Sequence, residues 1–409
     1  MSQTMPPPVF DPFAPGFTDD PYPQYATLRA GAPAGRHPLG FWLLTRYEDV
    51  SGLLRAGMSV EDGNITDRQL IELREQLYGE GAPRRRGLSM LDRDPPDHTR
   101  LRRLVSKAFT PRAVEALRPR ISSLVDEMLD AAERRDRVDL VDALAFPLPF
   151  AVIAEMLGTP PSDHERIRQL SGTVVRSLEP VNDPDMAAAI TAADAELTQV
   201  AAEMIAWKRA NPAGDLLTAL INAEDDGDVL DDDELIAQTL LLYIAGHETT
   251  VNLIAGGTLA LLRHPDQLAL LRDTPGLTGN AVEELLRYDS PVQATRRVTL
   301  ERATFSGVTI PAGSFVMALL GSANRDESYW GPDAAELRLD RENARQHVSF
   351  GAGPHHCLGA SLARLEASIA LARLTDRFPE LSLDGEVTWN GRINLRGPAR
   401  LPVALGPGR

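Results

Sequence analysis

The chain has 409 residues, with 42 basic and 58 acidic side chains that give a formal net charge of −16. This charge argues against nucleic acid or an anionic membrane as a partner, because phosphate groups would repel the chain except at a local basic patch. A single cysteine, Cys357, excludes an internal disulfide framework and a four-cysteine metal site, and it is typical of a reducing compartment. We therefore expect a cytoplasmic protein that buries its core without covalent cross-links.

Most of the chain is predicted to be helical. Residues 1–23 are rich in proline and predict an extended lead-in, and they lack the basic and apolar regions of a signal peptide. The run GFWLLT at 40–45 predicts a strand, whereas the apolar residues from 47 to about 262 mostly recur at helical spacing. Short apolar and β-branched runs in 293–319 and at 401–405 predict small sheets. The pattern predicts a single domain over 1–409, mainly α with small β-sheets (α+β).

A long helix is predicted to begin near Asp231, where acidic residues complement the helix dipole, and to end before Pro265. Its ~33 residues would span roughly 50 Å. Polar residues interrupt its apolar pattern, so a membrane span is not expected. In its middle, Glu248 and Thr249 lie on an otherwise apolar face, where unpaired polar groups would be costly. They indicate either a polar kink satisfied by neighbours and water or a place where protons are delivered inside an apolar cavity.

The segment FGAGPHHCLGASLAR at 350–364 places Cys357 at the predicted start of a helix, where the dipole favours a thiolate. The cysteine could be a buried structural residue, a nucleophile, a zinc ligand or a ligand of haem iron. A nucleophile needs a positioned base, and His355 and His356 lie too close in sequence to serve easily. For the same reason, a zinc site built from these adjacent residues would be geometrically awkward. The glycines do not complete a dinucleotide-binding loop, because His356 occupies the position of its third glycine.

The sequence FGAGPHHCLG resembles the haem-binding loop of the cytochrome P-450 family, and the resemblance extends over essentially the whole chain, to the soluble bacterial type. It implies the cytochrome P-450 fold, with a long central helix and a cysteine haem loop. It also implies that Cys357 is the axial ligand of the iron of haem b (iron protoporphyrin IX). The positions of the loop that match the family pattern are Phe350, Gly351, Gly353, His355, Cys357 and Gly359.

Two further motifs match the family in the same order along the chain. AGHETT at 245–250 is similar to the oxygen-activation segment, and it places Glu248 and Thr249 in the acid and alcohol positions. ELLR contains Glu284 and Arg287, three residues apart on one helix face. On the surface of an isolated helix, such an ion pair contributes only ~0.2–0.5 kcal/mol to stability. The resemblance implies instead that this pair is buried near the haem loop, with Arg341 as its third, basic member.

The resemblance also assigns cofactor and substrate contacts. His98, Arg102, Arg297 and His355 are expected to bind the haem propionates, with Arg296 as the alternative to Arg297. The residues expected to line the substrate pocket are Leu88, Leu91, Leu241, Ile244, Ala245, Val292, Thr295, Ile393 and Asn394. Because most of these side chains are apolar, we expect a largely apolar ligand.

The implied function is a haem-thiolate monooxygenase that activates dioxygen to hydroxylate or epoxidise a small molecule. Electrons would come from a separate ferredoxin and its NAD(P)H-dependent reductase, and Arg103, Lys107, Arg112 and Arg364 are candidates for a basic docking patch. We expect a monomer. Two alternatives remain. A peroxide-driven peroxygenase is disfavoured by the intact pair of Glu248 and Thr249, and a non-catalytic haem gas sensor is disfavoured because no signalling module is visible.

Overall fold

Helices make up most of the computed structural model, which describes residues 7–72, 88–159, 164–179 and 183–407. The prediction of a mainly α fold with small sheets is confirmed. Among the described residues, no helix combines the length and the hydropathy needed to cross a bilayer. The α-helices are Tyr22–Gly31 (α1), Tyr47–Arg55 (α2), Asp97–Ala108 (α3), Pro111–Glu115 (α4), Arg118–Glu133 (α5), Pro147–Leu157 (α6), His164–Val174 (α7), Pro184–Ala210 (α8), Leu216–Ile221 (α9), Asp232–Arg263 (α10), Pro265–Asp273 (α11), Thr278–Tyr288 (α12), Leu320–Ala323 (α13), Glu327–Trp330 (α14) and Ala360–Arg377 (α15).

The strands are short and form small sheets and hairpins. They are Ala34–Arg36 (β1), Trp42–Leu44 (β2), Arg137–Asp139 (β3), Glu224–Asp225 (β4), Asp228–Val229 (β5), Ala294–Val298 (β6), Ala303–Phe305 (β7), Val308–Ile310 (β8), Phe315–Leu319 (β9), Ser382–Leu383 (β10), Thr388–Trp389 (β11), Pro398–Arg400 (β12) and Pro402–Ala404 (β13).

The chain divides into two compact units. The first unit comprises Met1–Ala82, Glu283–Cys357 and Trp389–Arg396, and the second comprises Pro83–Val282, Leu358–Thr388 and Gly397–Arg409.

The first unit is built on a four-stranded sheet in the order β1-β2-β9-β6. Strand β2 runs parallel to β9, with Trp42 opposite Val316, and β6 runs antiparallel to β9. Leu44, Leu53 and Trp330 belong to the core against this sheet, and all three are buried. The sheet thereby fixes β6, the strand that carries two of the candidate cofactor-binding arginines.

The lead-in also packs in the first unit, and it differs from the extended segment predicted from its prolines. The described residues 12–19 form turns, in which Phe17 N–H donates to the Ala14 carbonyl at 3.1 Å and Gly16 has a φ of 80°. The aromatic rings explain the difference. Phe17 and Tyr25 are buried with their rings edge to face, so apolar burial folds the segment back.

The long helix α10 lies in the second unit and confirms the predicted long central helix. A capping box begins it, because the Asp231 carboxylate accepts from the Glu234 N–H at 2.8 Å and the Glu234 carboxylate accepts from the Asp231 N–H at 3.2 Å. Helix α10 has 32 residues and packs against α6, α8 and α15. Its C-terminal half is buried, whereas several apolar residues in its middle stay partly exposed.

Two β elements of the second unit interrupt the region expected to be helical. Strand β3 pairs with β13, which in turn pairs with β10. Strands β4 and β5 form a hairpin whose turn residues, Asp226 and Gly227, have φ values of 53° and 83°. An Asp-Gly pair with two positive φ angles is a strong hairpin signal, and it was available from the sequence.

Candidate functional site

The cysteine loop lies in the first unit, directly before α15 in the chain. Gly351 and Gly353 have φ values of 68° and 70°, which side chains rarely adopt. A Cβ atom at Gly353 would lie 2.3 Å from the carbonyl oxygen of Leu54, so only glycine fits there. The Cys357 N–H donates to the Phe350 carbonyl at 2.9 Å and closes the loop. The result is a tight backbone turn that presents the Cys357 side chain at an exposed position.

Glu284, Arg287 and Arg341 form one buried ion cluster in the first unit. The Arg287 guanidinium donates to both Glu284 carboxylate oxygens at 2.7 Å, and neither side chain is exposed. Its remaining N–H groups donate to the carbonyls of Asn324, Ala334 and Glu336 at 2.6–2.8 Å.

Arg341 also contacts Glu284 of this cluster. Its Nε lies 3.2 Å from Glu284 Oε1, and its side chain is 5% exposed. The Arg338 N–H also donates to Glu284, at 3.0 Å. A carboxylate with these donors is compensated inside the core, and the cluster ties α12 to residues 324–341.

Glu248 and Thr249 lie in the middle of α10, in the second unit. The Thr249 hydroxyl donates to the Ala245 carbonyl at 3.0 Å, and the Thr250 hydroxyl donates to the Gly246 carbonyl at 3.2 Å. Such bonds to the preceding turn hold the hydroxyl oxygens in place and tend to bend a helix. Glu248 is half-buried, and it lines a small cavity with Ile244, Ser171 and Tyr243. This geometry is compatible with both interpretations of the segment, a satisfied polar kink and a place where protons are delivered.

The structure places the candidate haem-binding cations on separate elements. His98 is buried on α3 in the second unit, and Arg102 is half-buried one helical turn later. Arg297 is buried on β6 in the first unit, where it donates to the Arg296 carbonyl at 2.6 Å. His355, which is half-buried, lies in the cysteine loop.

The two candidate arginines of β6 have different surroundings. Arg296 is paired with Asp62 and lies over the Phe315 ring, with its side chain 39% exposed. Arg297 is the neighbouring residue on the strand, so its side chain leaves the opposite face of the sheet. The charge of Arg296 is balanced by Asp62, and Arg297 stays the residue to which the resemblance assigns an anionic group of the cofactor.

Candidate pocket residues occur in both units. In the second unit, Leu241, Ile244 and Ala245 are partly or fully exposed on α10, although their neighbours Leu242 and Tyr243 are buried. In the first unit, Val292, Thr295, Ile393 and Asn394 are all half-buried. Asn394 Oδ1 accepts from the Ala294 N–H at 2.9 Å, so part of its amide is already used by the fold.

Leu88 and Leu91 lie in a turn of the second unit that a buried glutamine of α10 holds. The side chain of Gln238 accepts from the Met90 N–H and donates to the Leu88 carbonyl, both at 3.1 Å. Gln238 is fully buried, whereas the Leu91 side chain is 49% exposed. Sequence analysis treated the polar residues of this helix only as interruptions of an apolar pattern, although a buried amide needs polar partners.

Glu366 on α15 is a second buried polar group that sequence reasoning missed. It is 1% exposed, and its Oε2 atom has no hydrogen-bond partner among the described residues. Burial raises the pKa of this carboxyl well above its usual range. A carboxyl in this environment is held neutral at a pH where an exposed glutamate would be ionised.

Comparisons with known proteins give matches that include the segment of the cysteine loop. A family model described as "Cytochrome P450" matches residues 182–273 and 276–389. Cytochrome P-450 107B1 of Saccharopolyspora erythraea is 44% identical over 96% of this chain and 97% of its own length. The cytochrome P-450 monooxygenase PikC of Streptomyces venezuelae is 42% identical over 99% and 96%, respectively.

Solved structures of cytochrome P-450 proteins also superimpose on this chain. The structure of P450BioI in complex with an acyl carrier protein ligated to hexadec-9Z-enoic acid superimposes with a TM-score of 0.87 at 35% identity, covering 95% of this chain and 98% of that one. CYP109E1 from Bacillus megaterium, in complex with testosterone, superimposes with a TM-score of 0.82 at 32% identity, covering 95% and 99%.

Proposed function

Because the chain belongs to the cytochrome P-450 family, and is therefore a monooxygenase that carries haem iron, we propose that Cys357 is the axial thiolate ligand of haem b. The observation that carries this proposal is the position of the only cysteine. Its exposed side chain is presented by a closed loop that has no room for a side chain at Gly353. A reducing compartment such as the cytoplasm would keep this thiol available.

The residues of the loop and its candidate partners fit this cofactor. A soft thiolate suits iron, and the histidine and arginine side chains at 98, 102, 297 and 355 carry the charge and donors that propionates require. When bound, haem would supply the reductive activation of dioxygen and the insertion of one oxygen atom into a C–H or C=C bond. The polypeptide then has to orient the substrate, exclude water and deliver protons.

Glu248 and Thr249 are the residues that we propose for proton delivery. The Thr249 hydroxyl donates a hydrogen bond to the Ala245 carbonyl, so its oxygen keeps lone pairs that can accept a further hydrogen bond. Glu248 is half-buried one residue earlier, where a carboxyl can exchange protons with water and pass them inward. This pair would serve a reaction with dioxygen, which consumes protons, more than a reaction with peroxide.

The proposed substrate is a largely apolar small molecule. Support comes from Leu241, Ile244 and Ala245, which leave an apolar face exposed in the middle of an otherwise well-packed helix. One relative is named as a hydroxylase of a specific small molecule: the 6-deoxyerythronolide B hydroxylase of Saccharopolyspora erythraea is 39% identical over 95% of this chain and 97% of its own length. A carrier-bound chain is also compatible with the structural neighbour that holds an acyl carrier protein.

We propose a ferredoxin and its NAD(P)H-dependent reductase as electron donors. The basic patch expected for docking is smaller than the sequence indicated. Arg103 and Lys107 are paired with Asp225 of the β4–β5 hairpin, and Lys107 also donates to the Glu224 carbonyl at 2.7 Å. Their positive charge is partly neutralised, which weakens their part in attracting an acidic protein. Arg112 and Arg364 are the other members of the proposed patch.

The test of the proposal is the spectrum of the reduced carbon-monoxide complex. The wild-type protein should give the thiolate-type spectrum, and Cys357→Ala should abolish it, because the chain has no other thiol. A variant that keeps the spectrum would show that the assignment of the ligand is wrong. Turnover with NAD(P)H and a surrogate ferredoxin system, compared with turnover by peroxide alone, separates the monooxygenase from the peroxygenase.

A further inference from the structure

A buried histidine and a buried glutamate hold the segment that leads into the cysteine loop. His347 Nε2 lies 3.1 Å from Glu283 Oε2, and the two side chains are 1% and 2% exposed. Glu283 lies on α12, next to Glu284 but outside the ion cluster described above. The pair therefore connects α12 to residue 347, three positions before Phe350.

The hydrogen bonds assign the proton on the imidazole. The Ser349 N–H donates to His347 Nδ1 at 3.1 Å, so Nδ1 accepts and carries no proton. Nε2 then carries the proton and donates it to the Glu283 carboxylate. One neutral imidazole thus links a buried carboxylate to the backbone of Ser349, the residue directly before the loop.

Ser349 connects the His347–Glu283 pair to the cysteine loop. Its hydroxyl donates to the Leu286 carbonyl at 2.7 Å and accepts from Asn324 Nδ2 at 2.8 Å. The next residue, Phe350, accepts the Cys357 N–H through its carbonyl at 2.9 Å. Side chains therefore hold Ser349 at both its N–H and its hydroxyl, one residue before the Phe350 carbonyl that accepts from the Cys357 N–H.

We propose that His347 and Glu283 are positioning residues for the cysteine ligand, acting through the Ser349 N–H rather than by contact with the cofactor. This inference rests on the proposed role of Cys357 as the haem ligand. Groups that orient a metal ligand from outside the ligand set commonly change metal affinity by about 10–100-fold when they are removed. Loss of the imidazole should loosen the loop and let the thiolate be replaced or protonated.

Three substitutions at His347 test the hydrogen bonds of the two ring nitrogens separately. His347→Asn keeps an acceptor near the position of Nδ1 but does not reach Glu283. His347→Gln keeps a donor near the position of Nε2 but offers no acceptor to the Ser349 N–H, and His347→Ala removes both. Arg345→Ala is the matched control, because Arg345 Nε also contacts Glu283, at 3.3 Å, from a side chain that is 80% exposed.

The measurements are the ratio of thiolate-type to thiol-type spectrum in the reduced carbon-monoxide complex, the rate of haem transfer to an apo-globin scavenger, and the melting temperature. In His347→Ala we expect most of the thiolate-type signal to be lost and haem transfer to accelerate about tenfold, the lower end of the range for such groups. His347→Asn should keep more of the thiolate-type signal than His347→Gln at the same melting temperature. Arg345→Ala should behave as wild type.

Other outcomes overturn the inference. If His347→Ala keeps the wild-type spectrum and transfer rate, the pair does not position the ligand. If Asn and Gln variants lose signal equally and only in proportion to their stability, the pair is merely structural. Should His347→Ala fail to fold, the comparison of Asn with Gln decides, since both keep a polar side chain. A wild-type protein without a thiolate-type spectrum would instead refute the proposed function itself.

Discussion

Replacing Arg287 by alanine is the sharpest test of the buried ion cluster in the first unit. The guanidinium makes two hydrogen bonds to Glu284 and three to backbone carbonyls, and none of it is exposed. Alanine would remove all five bonds and leave the Glu284 carboxylate buried. Arg341, whose Nε lies 3.2 Å from that carboxylate, would then have to balance it from one side.

The expected cost follows from this geometry. Removing one partner of a buried ion pair costs about 3–5 kcal/mol, because the other charge is left uncompensated. The total stability of a domain is only about 5–15 kcal/mol. A loss of this size should lower the melting temperature by about 6 °C or more in a cooperative unit of ordinary size. We therefore expect Arg287→Ala to yield little haem-loaded protein.

The assay compares three variants by thermal unfolding and by haem content per folded protein. Arg287→Lys keeps the positive charge but loses the fork that contacts both carboxylate oxygens, so it should fall between Ala and wild type. Arg338→Ala is the matched control, since its side chain is 46% exposed and only its N–H reaches Glu284. If Arg287→Ala melts and binds haem like Arg338→Ala, the cluster does not stabilise the fold as argued.

Substitutions at three other positions give further tests. Thr249→Ala should lower the amount of product formed per NAD(P)H and raise the amount of hydrogen peroxide, because the hydroxyl that bonds the Ala245 carbonyl is lost. If Thr249 serves only the helix, the substitution should change stability by only a few tenths of a kcal/mol and leave the ratio of product to NAD(P)H unchanged. An unchanged ratio would therefore remove Thr249 from the mechanism. Gln238→Met should speed hydrogen exchange of the Met90 amide and weaken substrate binding, because the Met90 N–H and the Leu88 carbonyl each lose a hydrogen-bond partner, at about 1–3 kcal/mol each. Gln238→Glu should show a smaller effect at Met90, because its carboxylate can still accept from the Met90 N–H. Glu366→Gln should become more stable than wild type as the pH rises. The raised pKa of Glu366 in the folded state makes its contribution fully present below the unfolded pKa, near 4.5, and progressively lost above it, so melting temperatures that differ equally at pH 5 and pH 8 would contradict this account.

Local signals allowed much of the fold to be predicted. The acidic start of α10 and the proline after it gave nearly the observed helix, because capping and proline chemistry act within a few residues. The motif around Cys357 gave the loop, since positive φ at Gly351 and Gly353 requires glycine. The Asp226-Gly227 turn carried an equally local signal and was overlooked.

Long-range pairings account for what was missed. Glu283 and His347 are 64 residues apart, and nothing in either segment indicates that one side chain satisfies the other. Lys107 looked like part of a docking patch until the structure placed Asp225, 118 residues later, beside it. Such partners depend on how elements pack, and composition or periodicity does not encode that choice. The haem-binding roles of His98, Arg102, Arg297 and His355 stay predictions, because they too depend on how distant elements pack.

The attachment of the 88–91 turn bears on how this enzyme could acquire new substrates. Gln238 grips the turn only through backbone atoms, the Leu88 carbonyl and the Met90 N–H. Because every amino acid except proline offers those same atoms, side chains at 88 and 91 can be exchanged without altering the anchor. If Leu88 and Leu91 line the substrate pocket as the resemblance implies, a library randomised at these two positions would vary the lining of the pocket while the path of the backbone stays constant. Mutations at these two positions could then change the range of substrates without disrupting the backbone of the turn.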